Sequence, residues 1–300
     1  MRRRRGRAAS GCLSGETVVG SAAMKRMGEH EASEAAPGGL TVCVLASGSK
    51  GNAIYLSDGR TALLVDAGLT GKEIERRMAE RGLSPQALSG IVVSHEHGDH
   101  IKGVGVMSRR YGLPVYMTPG TAEAATDRLG KLTEVHHFIP GTAFSVDRLT
   151  LRPFSTSHDA SDSTGFTVSA DGAKVGIATD LGIATSVVRT HLAGCGVLII
   201  EANHDPRMLI DGPYPWYLKQ RVRGRTGHLS NESSRDLLGE LVHDRLSHVI
   251  LAHLSEQNNT PDKALAAVAP AIRSPRTRLT VADQHVCGDL LRVDPVAVDG

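Results

Sequence analysis

Residues 91–103 read IVVSHEHGDHIKG. The apolar run Ile91-Val92-Val93 delivers the chain into six positions holding His95, His97, Asp99 and His100. Imidazoles at i and i+2 on a loop leaving a strand can converge on one cation, while Asp99 and His100 turn toward a second. Two adjacent metal sites follow from that spacing. A lone histidine at a strand end is ordinarily solvated or structural. Four polar groups gathered there stay uncompensated unless cations or mutual pairing satisfy them.

The same alternation of β run and polar stop extends in both directions. LTVCVLAS, AIYLS and TALLVDAG read as strands separated by glycine turns, and GKEIERRMAERG places Ile74 and Met78 on one helical face before Gly82. Farther on, TGFTVSADGAKVGIATD reads as a hairpin around Asp171-Gly172, GVLIIEAN and LSHVILAHLS as buried strands, and NESSRDLLGELVHD as a capped amphipathic helix. Each ionisable cluster sits where a β run stops. In open α/β architectures those ends bind ligands, because converging loops there keep polar groups accessible.

The chain has 300 residues, which favours one large fold with appendages. Aromatics make up only 3% of it, so the core is built from Val, Leu, Ile and Ala. Cys12, Cys43, Cys195 and Cys287 are far apart and form no C-x-x-C pair, which argues against a zinc ribbon or a disulfide framework and for a reducing cytoplasm. The basic start lacks the apolar segment of a secretory signal, and no run approaches a membrane span, so a soluble protein is expected. Residues 1–38 carry seven Lys+Arg against four Glu, leaving 27 basic against 28 acidic residues elsewhere. Residues 1–38 therefore read as a disordered basic tail and 39–295 as the folded domain. Any affinity of that domain for nucleic acid must come from a local patch.

The H-x-H-x-D-H segment resembles the signature of the metallo-β-lactamase superfamily, and further marks stand in the family order: Asp66 in LLVDAG, His158 in FSTSHDA, Asp180 in GIATD and His253 in LAHLS. The resemblance spans about residues 40 to 285 and implies a four-layer αβ/βα sandwich with a dinuclear metal site at one edge. By the same implication His95, His97 and His158 hold the first metal and Asp99, His100 and His253 the second. Asp180 bridges the two, and Asp66 orients the site. A nitrogen-rich, carboxylate-bridged site suits two Zn²⁺ ions, or Mn²⁺, better than Mg²⁺.

Paired cations acidify a water and neutralise an electrophile, which is hydrolytic chemistry, but the fold does not choose the substrate. His100 directly follows Asp99, as in phosphodiesterase and thioesterase branches. Glu201 in LIIEANHD and His228 in GHLSNESS resemble the proton-donor pair of the tRNA 3′-processing branch, which makes them, with Asp99, the candidate catalytic residues. Between them, Lys219, Arg221, Arg223 and Arg225 follow Trp216 and suit a phosphate backbone with stackable bases.

SGSKGNAIYL, EANHDPRML, YPWYLKQRVRGRTGHLSN and LAHLSEQNNTP together resemble the bacterial YycJ/WalJ-type metallohydrolases. That resemblance implies a 5′-to-3′ DNA exonuclease associated with mismatch repair or genome maintenance, with DNA favoured over RNA as partner and a homodimer admitted. SGSKGN departs from the G-x-x-x-x-G-K-[ST] phosphate loop and reads as a loop at the metal edge. The competing readings are a phosphodiesterase for small cyclic or nucleotide esters, an RNA-processing nuclease, and a metal-stabilised binding protein without turnover.

Overall fold

The computed structural model describes residues 38–295. The expected basic tail lies outside the described residues but for Gly38. Fourteen strands among the described residues form two sheets of seven. The first sheet contains β1 (Leu40–Ala46), β2 (Ala53–Ser57), β3 (Ala62–Val65), β4 (Gly90–Val92), β5 (Pro114–Met117) and β6 (Glu134–His137). The second contains β7 (Phe144–Val146), β8 (Leu149–Ser155), β9 (Thr164–Ala170), β10 (Ala173–Ala178), β11 (Val197–Glu201), β12 (His248–Ala252) and β13 (Arg278–Val281). The last strand, β14 (Leu291–Val293), returns to pair antiparallel with β1 at the edge of the first sheet.

Both sheets are built alike. An antiparallel meander, β1-β2-β3 in one and β7-β8-β9-β10 in the other, passes into parallel strands, β3-β4-β5-β6 and β10-β11-β12-β13. The hairpin expected at Asp171-Gly172 joins β9 to β10, with φ of 47° and 83° at those residues. Two successive positive φ values match the twist of the flanking strands, and Asp-Gly tolerates them.

Strand periodicity sets the layers. Val42, Val44, Leu63 and Val65 face the second sheet, where they meet Leu151, Phe166, Val168, Val175 and Ile199. Their neighbours Leu45 and Leu64 face outward, against Ile74 and Met78 of helix 71–80 and Met107 of helix 104–111. On the far side Leu198, Ile200 and Leu251 pack on Val188, Leu192, Leu237 and Val268 of three other helices. The order is helix, sheet, sheet, helix, the four-layer sandwich that the sequence leads one to expect. Burying the central strands on both faces requires near-continuous apolar runs, which is why those strands read so clearly, whereas β6 at the sheet edge is exposed along its length.

The described cysteines are free, and two of them meet in the fold. Cys43 and Cys287, 244 positions apart, place their sulfurs 3.8 Å from each other, buried and reduced. Burial and the neighbouring Cys287 push the Cys43 thiol far above its usual range, so it stays protonated and inert. No helix among the described residues is long and apolar enough to cross a membrane.

Candidate metal centre

Asp66, His95, His158, Asp180 and His253 all lie just past the C-terminal ends of β3, β4, β8, β10 and β12, and Glu201 is the last residue of β11. Because β8 is antiparallel to β9 and β9 to β10, these ends of the second sheet share one edge. Asp66, Asp180 and His253 hold left-handed backbone, with φ of 60°, 57° and 55°. Such a conformation costs roughly 1–3 kcal/mol at a residue other than glycine, and it turns each side chain sharply off its strand into the edge.

The imidazoles are oriented by what their Nδ1 atoms touch. Asp66 accepts from Ser94 N and Ser94 Oγ at 2.8 Å each, and from His100 Nδ1 at 2.8 Å. With its hydrogen committed to Asp66, the Ser94 hydroxyl accepts from His95 Nδ1 at 2.9 Å. His158 Nδ1 donates to the Gly227 carbonyl at 3.1 Å, and His253 Nδ1 to Glu201 Oε1 at 3.0 Å. In all four the Nε2 lone pair is left to point inward, which is how supporting groups prepare imidazoles as metal ligands.

What converges is a set of overlapping donor clusters: His95, His97 and His158; His95, His100 and Asp180; and Asp99, His100 and His253. Asp180 joins them, with Oδ2 3.2 Å from His100 Nε2 and Oδ1 3.5 Å from His253 Nε2 and 3.7 Å from His158 Nε2. All seven residues expected as ligands, and Asp66 behind them, therefore meet in one place.

The donors fit a cation. His95 Nε2 and Asp180 Oδ2 are buried without a hydrogen-bond partner, a costly state that a cation relieves. Burial works to lower the pKa of His100, but Asp180, Asp66 and Asp99 outweigh it and raise it well above the ordinary range. Burial and the nearby His100 drive His95 the opposite way. Burial acts to raise Asp180, yet the facing His253 and His100 hold it well below the usual carboxylate range. Carboxylates that draw positive charge onto neighbouring rings are suited to draw a divalent cation between them.

Glu201 is fully buried and accepts four bonds: His228 Nδ1 at 2.8 Å and His253 Nδ1 at 3.0 Å on Oε1, with Leu181 N at 3.1 Å and Leu229 N at 3.0 Å on Oε2. Burial favours its neutral form, but His228 and His253 prevail and hold its pKa at about 2. His228 lies beside the cluster with its side chain 18% exposed, so its Nε2 is free for substrate.

Several contributors were not identified in the sequence. Asn52, in the loop expected at the metal edge, places Nδ2 3.3 Å from Asp99 Oδ2 and 3.1 Å from His100 Nε2. Ser47 Oγ accepts from His253 N at 2.8 Å. On the Asp99 side a cavity of about 670 Å³ is lined by Lys50, Lys102 and Arg128. On the His228 side a cavity of about 330 Å³ reaches His204, whose Nδ1 is buried and unpartnered.

The basic segment is less uniform than its sequence. Trp216 and Tyr217 are exposed on the helix Trp216–Val222. Lys219 donates to the Ile210 carbonyl, and Arg221 is paired with Asp159. Arg223 and Arg225 have no carboxylate partner among the described residues.

Residues 61–253 match the sequence profile of the β-lactamase superfamily domain. The chain is 36% identical over 236 residues to exodeoxyribonuclease YycJ of Bacillus anthracis, covering 78% of this chain and 89% of that one. It is also 36% identical over 230 residues to exodeoxyribonuclease WalJ of Streptococcus pneumoniae, covering 75% and 86%. The fold matches that of the metallo-β-lactamase fold protein YhfI from Bacillus subtilis with a TM-score of 0.65 at 16% identity, over 84% of this chain and 98% of that one. With the strand-edge cluster and the four-layer sandwich both in place, the chain belongs to the metallo-β-lactamase superfamily, in its YycJ/WalJ-type branch, and is a metal-dependent hydrolase.

Proposed function

We propose that the protein is a dinuclear metal-dependent deoxyribonuclease that degrades DNA from the 5′ end. The observation that carries this reading is the hydrogen-bonded pair His228–Glu201 standing beside the ligand cluster with the imidazole open to solvent. A departing sugar oxygen needs a proton, and a metal site that hydrolyses only activated substrates has no use for such a donor. Similarity to two exodeoxyribonucleases over most of the chain supports the choice of DNA.

In this reading His95, His97 and His158 hold one cation, Asp99, His100 and His253 the other, and Asp180 both. The donor set of seven groups, five imidazoles and two carboxylates, favours Zn²⁺, with Mn²⁺ next. When bound, the cations supply an acidified water and neutralise phosphate charge. Glu201 fixes the His228 ring through Nδ1, so Nε2 carries the transferable proton. Arg223 and Arg225, with Trp216, line the approach of the strand.

Metal analysis of the purified protein together with digestion of end-labelled single- and double-stranded DNA and RNA tests the proposal. Asp180→Ala should lose bound metal and all turnover, because one carboxylate serves both clusters. A chain-length series should show faster hydrolysis of longer polymer. Equal activity on mononucleotide esters, or full metal content with normal turnover in Asp180→Ala, would overturn the assignment.

A further inference from the structure

The cavity of about 330 Å³ beside His228 differs in chemistry from the metal centre it adjoins. The centre holds Asp99, Asp180 and Glu201, whereas no carboxylate lines this cavity. Its polar wall consists of Arg223, Ser230, Ser233, His204 and His228, and its apolar wall of Pro206, Leu209 and Ile210. Ser230 is the N-cap of helix 231–241, so the positive end of an 11-residue helix opens at the cavity. Arg223 reaches it without a carboxylate partner among the described residues, while the neighbouring Arg221 is tied to Asp159.

His204 supplies an independent sign of a ligand. It is 3% exposed, yet its Nδ1 has no hydrogen-bond partner. Its backbone is fixed, the carbonyl accepting from Asn231 N at 2.9 Å. A buried ring nitrogen left unpaired in the wall of a cavity is costly unless an incoming polar group meets it.

Position decides which group that is. His228 protonates the leaving oxygen, so whatever carries that oxygen lies on the His228 side. Hydrolysis joins the oxygen of water to phosphorus and breaks the bond from phosphorus to O3′. The electron pair goes to O3′, which takes the His228 proton; the proton lost by water passes to solvent, from which His228 is reloaded. The fragment leaving with O3′ is then the one on the 5′ side of the cut. A cavity of this volume falls at the small end of ligand sites and matches about one nucleotide.

We propose that this cavity is an end pocket for a single 5′-phosphorylated nucleotide, with Arg223 and the helix start at Ser230–Ser233 holding the terminal phosphate and the base against Leu209 and Ile210. The inference rests on the deoxyribonuclease reading and gives it a physical reason for end selection: a chain running on in the 5′ direction does not fit. The remaining strand continues past Asp99 toward Lys102 and Arg128.

The test uses metal-loaded enzyme and one single-stranded DNA sequence in three forms: 5′-phosphorylated, 5′-hydroxyl and circular. The phosphorylated end should be preferred by about tenfold or more in kcat/KM, the value of one charge-assisted contact, and the circle should resist. Arg223→Ala, at an exposed position that leaves folding intact, should erase the preference by slowing the phosphorylated form about tenfold more than the hydroxyl form. Equal use of both ends, or equal slowing of both by Arg223→Ala, overturns the pocket. If no form of DNA is degraded, the deoxyribonuclease reading fails, and binding decides the pocket separately. 2′-Deoxyadenosine 5′-monophosphate should then bind about tenfold more weakly to Arg223→Ala and to His204→Leu than to wild type; unchanged binding in both variants overturns it.

Discussion

His228 and His253 share one carboxylate oxygen: their Nδ1 atoms lie 2.8 and 3.0 Å from Glu201 Oε1. One ring faces substrate and the other faces the metal cluster, so the proton donor and a metal ligand are set by the same buried charge. The sequence pairs Glu201 with His228 alone, from which a mild effect of Glu201→Gln would follow. The structure corrects this. An amide at this position loses the charge and turns an NH₂ toward donors that now find an acceptor.

Glu201→Gln should therefore lower metal affinity by about 10- to 100-fold, the usual effect of removing a partner behind a metal-bound histidine, and lower turnover with it. Titration of the variant with Zn²⁺, followed by tryptophan-independent metal competition with a chelating dye, measures the affinity. Full metal occupancy with reduced turnover would instead return Glu201 to a role at His228 only.

His204 gives a pH dependence that does not involve the ligands. Burial depresses its pKa, against the pull of Glu201, from the ordinary imidazole value of 6.5 to about 4. Between those values the unfolded chain binds a proton that the folded chain refuses, so folding stability rises with pH across the window and is fully recovered above 6.5. The span is worth about 3 kcal/mol. His204→Gln does not titrate. Urea unfolding at pH 4.5 and pH 7 should show a smaller acid loss in the variant than in wild type, the metal-linked protons being common to both. Parallel pH curves would contradict a neutral buried His204.

How much of this was legible depended on how local each relationship is. His95, His97, Asp99 and His100 announce themselves because four ligands follow one apolar strand. Asp66, Asp180 and His253 were legible through their order at successive strand ends. Asn52 and Ser94 were not singled out, because a short polar side chain in a turn reads as turn chemistry until a fold brings it against an imidazole. Cys43 and Cys287 came together only through the pairing of β14 with β1, which carries the chain end back across the first sheet. The basic segment misled in the other direction. Its charges look equivalent in sequence, but Asp159 and the Ile210 carbonyl occupy Arg221 and Lys219.

That inequality sharpens the expectation for polymer binding. Arg223→Ala with Arg225→Ala should weaken DNA binding and reduce the slope of log K against log salt by about 1 to 2, since each phosphate contact releases roughly one counterion. Arg221→Ala should change the slope less, because its charge is already neutralised by Asp159. Fluorescence anisotropy of labelled single-stranded DNA across a salt series provides the measurement. Equal effects of the two variants would mean that the Arg221–Asp159 pair opens on binding.

The proton-donor role of His228 admits a test that separates it from scaffolding. The ring is hydrogen-bonded to Glu201, stands 3.8 Å from Asp180 Oδ1 and lies beside the rings of His158 and His253 with centroids 5.1 Å away, and its removal leaves every expected ligand in place. His228→Ala should retain both cations and bind DNA nearly as well, while turnover falls on the order of 10²- to 10⁴-fold. A sugar alkoxide is a poor leaving group without a proton, whereas nitrophenolate departs unaided. The loss on a nitrophenyl phosphodiester should accordingly be much smaller than the loss on DNA. If His228→Ala sheds metal, or slows both substrates by the same factor, the ring serves the architecture of the site and another group delivers the proton.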